Sequence, residues 1–152
     1  VTEVEIREFD LGDILSITTE RLLSERGTDG IYDILNYMTQ DNLWTHQLPR
    51  AGRECAPVLR EQFPQLCTEE VQRDVEGICF RLLACGEVRS VCQHMLSEWL
   101  EAEREKLGAS FKVKPLAQYA HTFQEPYSEL VDMVGADKII AVEMPPAEDG
   151  PE

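Results

Sequence analysis

Residues 9–24 read FDLGDILSITTERLLS, and this stretch decides the class of fold. Ahead of it, Val4 and Ile6 alternate with charged residues and lead to Phe9, the pattern of a short strand with one buried face. Asp10 can then cap a helix that carries Asp13 at its third position. Leu11, Ile14, Leu15, Thr18 and Leu22 fall on one side of that helix. A strand running straight into a capped helix puts both element types in one core, so an α+β domain is expected.

Moving outward, SERGTDG at 24–30 is a turn in which Thr28 or Asp29 can cap a second helix. The apolar face of that helix is Ile31, Ile34, Leu35 and Met38, and it stops near Gln40. A third helix follows the segment LWTHQLPR, with Pro49 suited to a first turn and Cys55, Leu59 and Phe63 on one face. Pro57 means that this helix either begins later or is kinked there. Thr68 caps a fourth, whose stripe of Val71, Val75, Ile78, Cys79, Leu82 and Leu83 breaks at Gly86. Val88, Val91, Cys92, Met95, Trp99 and Leu100 resume the period, while Glu98, Glu101, Glu103 and Glu105 mark a solvated face and Gly108 ends the helix.

Phe111 and Val113, alternating with Lys112 and Lys114, read as a strand, as does the apolar run Lys138 to Met144, with a helix from Pro126 to Val134 between them. The expected architecture is one mostly helical α+β domain over residues 1–144, its helices packed on a two- or three-stranded sheet. PPAEDGPE at 145–152 has no residue that could pack and reads as a disordered acidic tail.

The formal charge of −15 arises from 29 acidic and 14 basic residues. It is spread evenly, because residues 1–60, 61–109 and 110–152 each contribute −5. A duplex binder neutralises phosphates with clustered Lys and Arg, whereas here acids outnumber bases about two to one throughout, so nucleic-acid binding is disfavoured. The helix-turn-helix reading of the first two helices fails for the same reason, since GIYDILNYMTQ contains no basic residue. An acidic surface repels anionic lipid and attracts basic protein surfaces. No apolar run reaches the roughly 20 residues of a membrane span, and the acidic start VTEVEIREFD lacks a leader pattern. Cys55, Cys67, Cys79, Cys85 and Cys92 are odd in number and lack CxxC spacing. The expectation is therefore no metal, no cofactor, and buried free thiols in a reducing cytosol.

The densest collection of usable groups is Asn42, Trp44, Thr45, His46, Gln47, Arg50, Arg53 and Glu54, where a loop enters the third helix. Trp44 could stack on a planar ligand while His46, Gln47 and Arg50 hydrogen-bond its edge. In the competing reading Trp44 anchors the loop in the core, His46 and Gln47 satisfy backbone groups, and Arg50 pairs with an acid such as Glu54. His46 could serve as a base and Cys55 as a nucleophile, but no third group orients the imidazole, and GxSxG, P-loop, HExxH and GxGxxG motifs are absent. His94 and His121 stand alone in the sequence and read as surface or core residues.

FDLGDILSITTERLLS, GTDGIYDILNYMTQDNLWTHQLPRAGREC and ELVDMVGADKIIAVEM resemble a small uncharacterised domain family of actinobacteria and especially their bacteriophages. THQLPRA at 45–51 is the most specific part, and residues 68–107 read as a helical insertion relative to shorter members. The resemblance implies a phage or prophage origin and no reaction. The leading expectation is a non-enzymatic protein that binds a host or phage protein, with anti-defence as the context. The alternative is a binder or enzyme for a nucleotide-like small molecule, using the Trp44 to Arg50 loop.

Overall fold

The computed structural model describes residues 6–86 and 88–134. Their order is β1 (Arg7–Asp10), α1 (Leu11–Thr19), α2 (Thr28–Thr39), α3 (Leu48–Gln62), α4 (Glu69–Ala84), α5 (Arg89–Leu107), β2 (Ser110–Val113) and α6 (Pro126–Val134). β1 and β2 pair antiparallel with Phe9 opposite Phe111. The arrangement is mostly helical α+β, and the described residues hold a two-stranded sheet. Val4, the strand expected at 138–144 and the tail at 145–152 lie outside the described residues.

Asp10 caps α1 as its position suggests, its carboxylate accepting from the Gly12 N–H at 3.0 Å. Every residue from Leu11 to Thr18 is buried, so α1 is enclosed on all sides rather than along one stripe. It ends early. Glu20 adopts φ 60 and turns the chain out of the helix, which leaves Leu22 exposed and buries Leu23 instead. The strand also corrects its expected face: Phe9 enters the core, and Ile6, of opposite parity along the strand, is exposed.

Tyr37 joins α2 to both strands. Its hydroxyl donates to the Val113 carbonyl at 2.7 Å and accepts from the Arg7 N–H at 3.2 Å. Arg104 ties α5 to the start of α1, with Nε and Nη2 both 3.0 Å from the Asp10 carboxylate and Nη2 2.9 Å from Glu25. α3 runs continuously through Pro57, which is exposed, so the ring costs one intrahelical hydrogen bond without disturbing the core.

α4 and α5 form an antiparallel pair. Their inner parts reach the core through Val71, Val75, Ile78 and Leu100, and their outer parts project beyond it. At the turn, Cys85 and Cys92 are joined as a disulfide, which corrects the expectation of free thiols there. Gly86, at φ 79, reverses the chain and sets the last turn of α4 beside the first of α5. Cys55 is buried as expected, but Cys67 is exposed.

Glu103 corrects the solvated face drawn for α5, because it is buried. One oxygen, Oε2, lies 3.2 Å from Lys106 Nζ, while Oε1 has no partner among the described residues. Burial pushes the Glu103 carboxyl up, and nearby Asp74 adds to the shift while Lys106 opposes it. A carboxyl raised on folding costs stability as pH rises above its unfolded value, so Glu103→Gln is expected to stabilise the protein at neutral pH by about 1 kcal/mol. The gain should vanish near pH 4, close to the ordinary range of a carboxyl, in urea unfolding at both pH values. Equal stability of variant and wild type at neutral pH would contradict this account.

Candidate functional site

The chain approaches α3 through Trp44, in extended conformation, and a 3-10 turn at Thr45–Gln47. Gln47 closes this turn from both ends. Its own N–H donates to the Trp44 carbonyl at 2.9 Å, and its side-chain oxygen accepts from the Trp44 N–H at 2.9 Å. The amide nitrogen is thereby aimed inward. It donates to Glu129 Oε1 at 2.8 Å and to the Gln124 carbonyl at 3.1 Å, both on the segment that carries α6.

One turn further into α3, Arg50 reaches the same carboxylate. Nε donates to Glu129 Oε2 at 2.7 Å and Nη2 to Oε1 at 2.9 Å, a two-point contact of planar groups. Its remaining nitrogen, Nη1, donates to Glu54 at 3.0 Å and to the Thr122 carbonyl at 2.7 Å. With the Arg50 guanidinium foremost and the Gln47 amide assisting, Glu129 is held at about 2, far below the usual carboxylate range. His46 Nε2 donates to the Pro126 carbonyl at 2.8 Å, which selects the tautomer protonated there.

His121 completes the arrangement from the other strand of contacts. Its side chain is buried, with Nε2 2.9 Å from Asp41 and Nδ1 against Glu54. Glu54 also accepts the Thr122 N–H at 3.1 Å, so this single carboxylate serves Arg50, His121 and the backbone. The Phe123 ring meets the imidazole edge on, with centroids 4.5 Å apart.

His46, Gln47 and Arg50 are therefore brought together, and their partners are the chain's own residues 121–129. Trp44 is not the core anchor of the competing reading: it is half exposed, with the His46 ring edge on to it at 5.9 Å. Thr45 Oγ1 contacts the Tyr32 hydroxyl, and Asn42 is exposed with its N–H on Asp41 at 2.7 Å. Arg53 is exposed on the side of α3 that faces α1 and α2. Sequence reasoning missed Glu129, Asp41 and the Gln124 carbonyl. Glu129 lies 79 positions from Arg50, and an isolated acid in YSELVDM carries no local sign of a distant partner.

Chemically this is a set of satisfied groups. Burial raises the Cys55 thiol to about 12, which leaves almost no thiolate near neutrality. Among the described residues no group of three or more His, Cys, Asp or Glu side chains is placed to hold a metal.

Residues 121–129 thus form a strap across α3, and this strap should open in acid. Glu129 has a depressed folded value, so its contribution is present above the unfolded carboxyl range and is lost as pH falls toward about 2. Amides of Pro126–Val134 are expected to lose hydrogen-exchange protection between about pH 4.5 and pH 2 while α1 stays protected. Arg50→Met should produce the same opening at neutral pH by stranding Glu129, and protection unchanged in the variant would refute the assignment.

The sequence model of a family described as Domain of unknown function (DUF7736) matches residues 9–69. The matched stretch runs from β1 to the first residue of α4, so it contains the THQLPRA loop and excludes the α4–α5 pair and α6. No curated protein and no solved structure matches the chain.

Proposed function

We propose that this chain acts without catalysis, by binding a protein of host or phage origin through the outer half of the α4–α5 pair. The observation that carries the reading is a set of large apolar side chains left in solvent there: Phe80 at 72%, Leu83 at 82%, Val88 at 54% and Val91 at 47% exposure. Clustered apolar exposure at the end of a projecting element is the usual mark of a contact surface.

Charge supports the same place. Residues 77–97 carry Arg81 and Arg89 against Glu87 alone, in a chain of net charge −15. A partner can therefore bury this apolar surface with a single carboxylate in the stretch, that of Glu87, whereas desolvating carboxylates is the costly step elsewhere on the molecule. The Cys85–Cys92 link ties the end of α4 to the start of α5, which lowers the ordering cost of association. The acidic body adds steering toward a partner with a basic rim. A small-molecule role for the Trp44 to Arg50 loop loses support, because its polar groups already hold residues 121–129.

The test is affinity capture at two salt concentrations with wild type, Trp44→Ala and a Phe80→Ser, Leu83→Ser double variant, each shown folded by circular dichroism. The expected result is a stoichiometric partner retained by wild type and Trp44→Ala, lost by the double variant, and weakened by salt. A partner that the double variant keeps would place the surface elsewhere. Sedimentation of the protein alone shows whether the occupant is instead a second copy, which would overturn the foreign-partner reading.

A further inference from the structure

On the opposite side of α3 from the strap, a groove of about 340 Å³ lies between α1, α2 and α3. Ile17, Leu22, Ile31, Leu35, Leu48 and Pro49 line it with hydrocarbon. Its volume falls at the small end of the roughly 300–1,000 Å³ typical of small-molecule clefts. The whole groove lies within the stretch matched by the family of unknown function.

Two features of this groove have no role inside the chain. Arg21 and Arg53 both border it, and among the described residues neither guanidinium makes a hydrogen bond or an ion pair. Acids outnumber bases about two to one here, so these guanidinium groups are not unpaired for want of carboxylates. Gly52, in the interior of α3, also lines the groove, and a Cβ added to it would meet nothing within 4 Å. Glycine is among the least favourable residues in a helix interior, and packing explains it at two other helical positions, though not at Gly77 of α4, which also has open space around it. At Gly30 a Cβ would lie 2.2 Å from Ser24 Oγ, and at Gly12 2.9 Å from the Leu23 carbonyl. At position 52 the missing side chain leaves the groove open.

We propose that this groove binds a small amphipathic carboxylate, with its apolar body between Ile17, Ile31, Leu35 and Leu48 and its carboxylate on Arg21 and Arg53. A single negative charge suits the rim, because Glu20 also borders the groove and disfavours a multiply charged group. The two guanidinium groups supply charge-assisted donors, and the hydrocarbon walls supply the burial that a free carboxylate alone would not gain.

Octanoate and octan-1-ol are the probes, since they share an apolar body and differ in charge. Methyl NMR shifts of Ile17, Ile31, Leu35 and Leu48 are followed during titration of each. Octanoate is expected to bind saturably and at least about tenfold more tightly than octan-1-ol. An Arg21→Gln, Arg53→Gln variant should erase that difference while leaving octan-1-ol unchanged. Gly52→Leu, which fills the groove from a position with free space, should abolish both while keeping the melting temperature at or above wild type. Equal affinity for the two probes, binding unaffected by Gly52→Leu, or shifts confined to Leu83, Val88 and Val91 would each overturn the proposal. So would a failure of octanoate together with loss of the captured protein partner in Gly52→Leu, which would assign the groove to that partner. The hairpin double variant keeps its octanoate binding if the two surfaces are independent, so the groove and the protein contact can fail separately.

Discussion

A helix buried on every side must satisfy its polar side chains without water, and α1 imposes that requirement on everything around it. Asp13, Ser16 and Thr18 are all buried within it. Asp13 takes the Ser24 hydroxyl at 2.5 Å and Arg26 Nη2 at 2.6 Å. Ser16 donates to the Gly12 carbonyl at 2.7 Å and accepts the Leu23 N–H at 2.9 Å. These bonds draw the 20–27 loop back over the helix that it leaves. Gly30 then becomes obligatory, because the start of α2 must approach both Ser24 and Asp13. Hydrophobic enclosure and polar satisfaction thus fix the same loop, and any substitution that loosens one exposes the other.

The same logic extends outward through arginine. Arg26 and Arg7 share Asp33, at 3.1 and 3.0 Å, and the pair holds its carboxyl below the ordinary range. Arg104 joins α5 to Asp10 and Glu25, and Arg50 joins α3 to Glu129 and Glu54. All of these bridges except Arg50 with Glu54, which lies within α3, span separate elements, so charge contributes to the order of the elements more than to the strength of any one helix. The exposed pairs, such as Arg7 with Asp33, contribute little on their own. Arg50 with Glu129 differs because both partners are largely buried and the carboxylate receives three donors.

Most local features of the fold were legible in sequence where they depend on near neighbours. The Asp10 and Thr68 caps, the stop near Gln40 and the 3.6-residue stripe of Ile34, Leu35 and Met38 behave as read, whereas neither Thr28 nor Asp29 caps α2, whose N-cap is Gly27 with no side-chain hydrogen bond. What was not legible depends on distance in space. Four acids between 98 and 105 look alike in sequence, and only the placement of α5 on the core decides that Glu103 is the one inside. Leu22 continues the period of α1, but Glu20 has already left the helix. The Cys85–Cys92 link follows from how tightly α4 and α5 reverse at Gly86, which spacing alone does not reveal. For the candidate site, proximity of His46, Gln47 and Arg50 was readable from one helical turn; that their partners come from 121–129 was not.

This separation distinguishes arginines that build the fold from those with no side-chain hydrogen bond or ion pair among the described residues, which include Arg73, Arg81 and Arg89 as well as Arg21 and Arg53. An arginine in an acidic chain has abundant partners, and Arg7, Arg26, Arg50 and Arg104 take two or more contacts each. Removing any of them strands carboxylates that the fold has already placed. Arg21 and Arg53 strand nothing among the described residues, and they border a groove lined mainly by hydrocarbon, with Glu20 on its rim. The THQLPRA string contains both kinds of surface on one helix: Gln47 and Arg50 face the strap, while Leu48 and Pro49 face the groove that Arg53 borders. Successive residues of a helix point about 100° apart, so so short a string can hold two unrelated faces at once. A motif dense in polar groups is then not one site but the seam between an internal fastening and an open cleft.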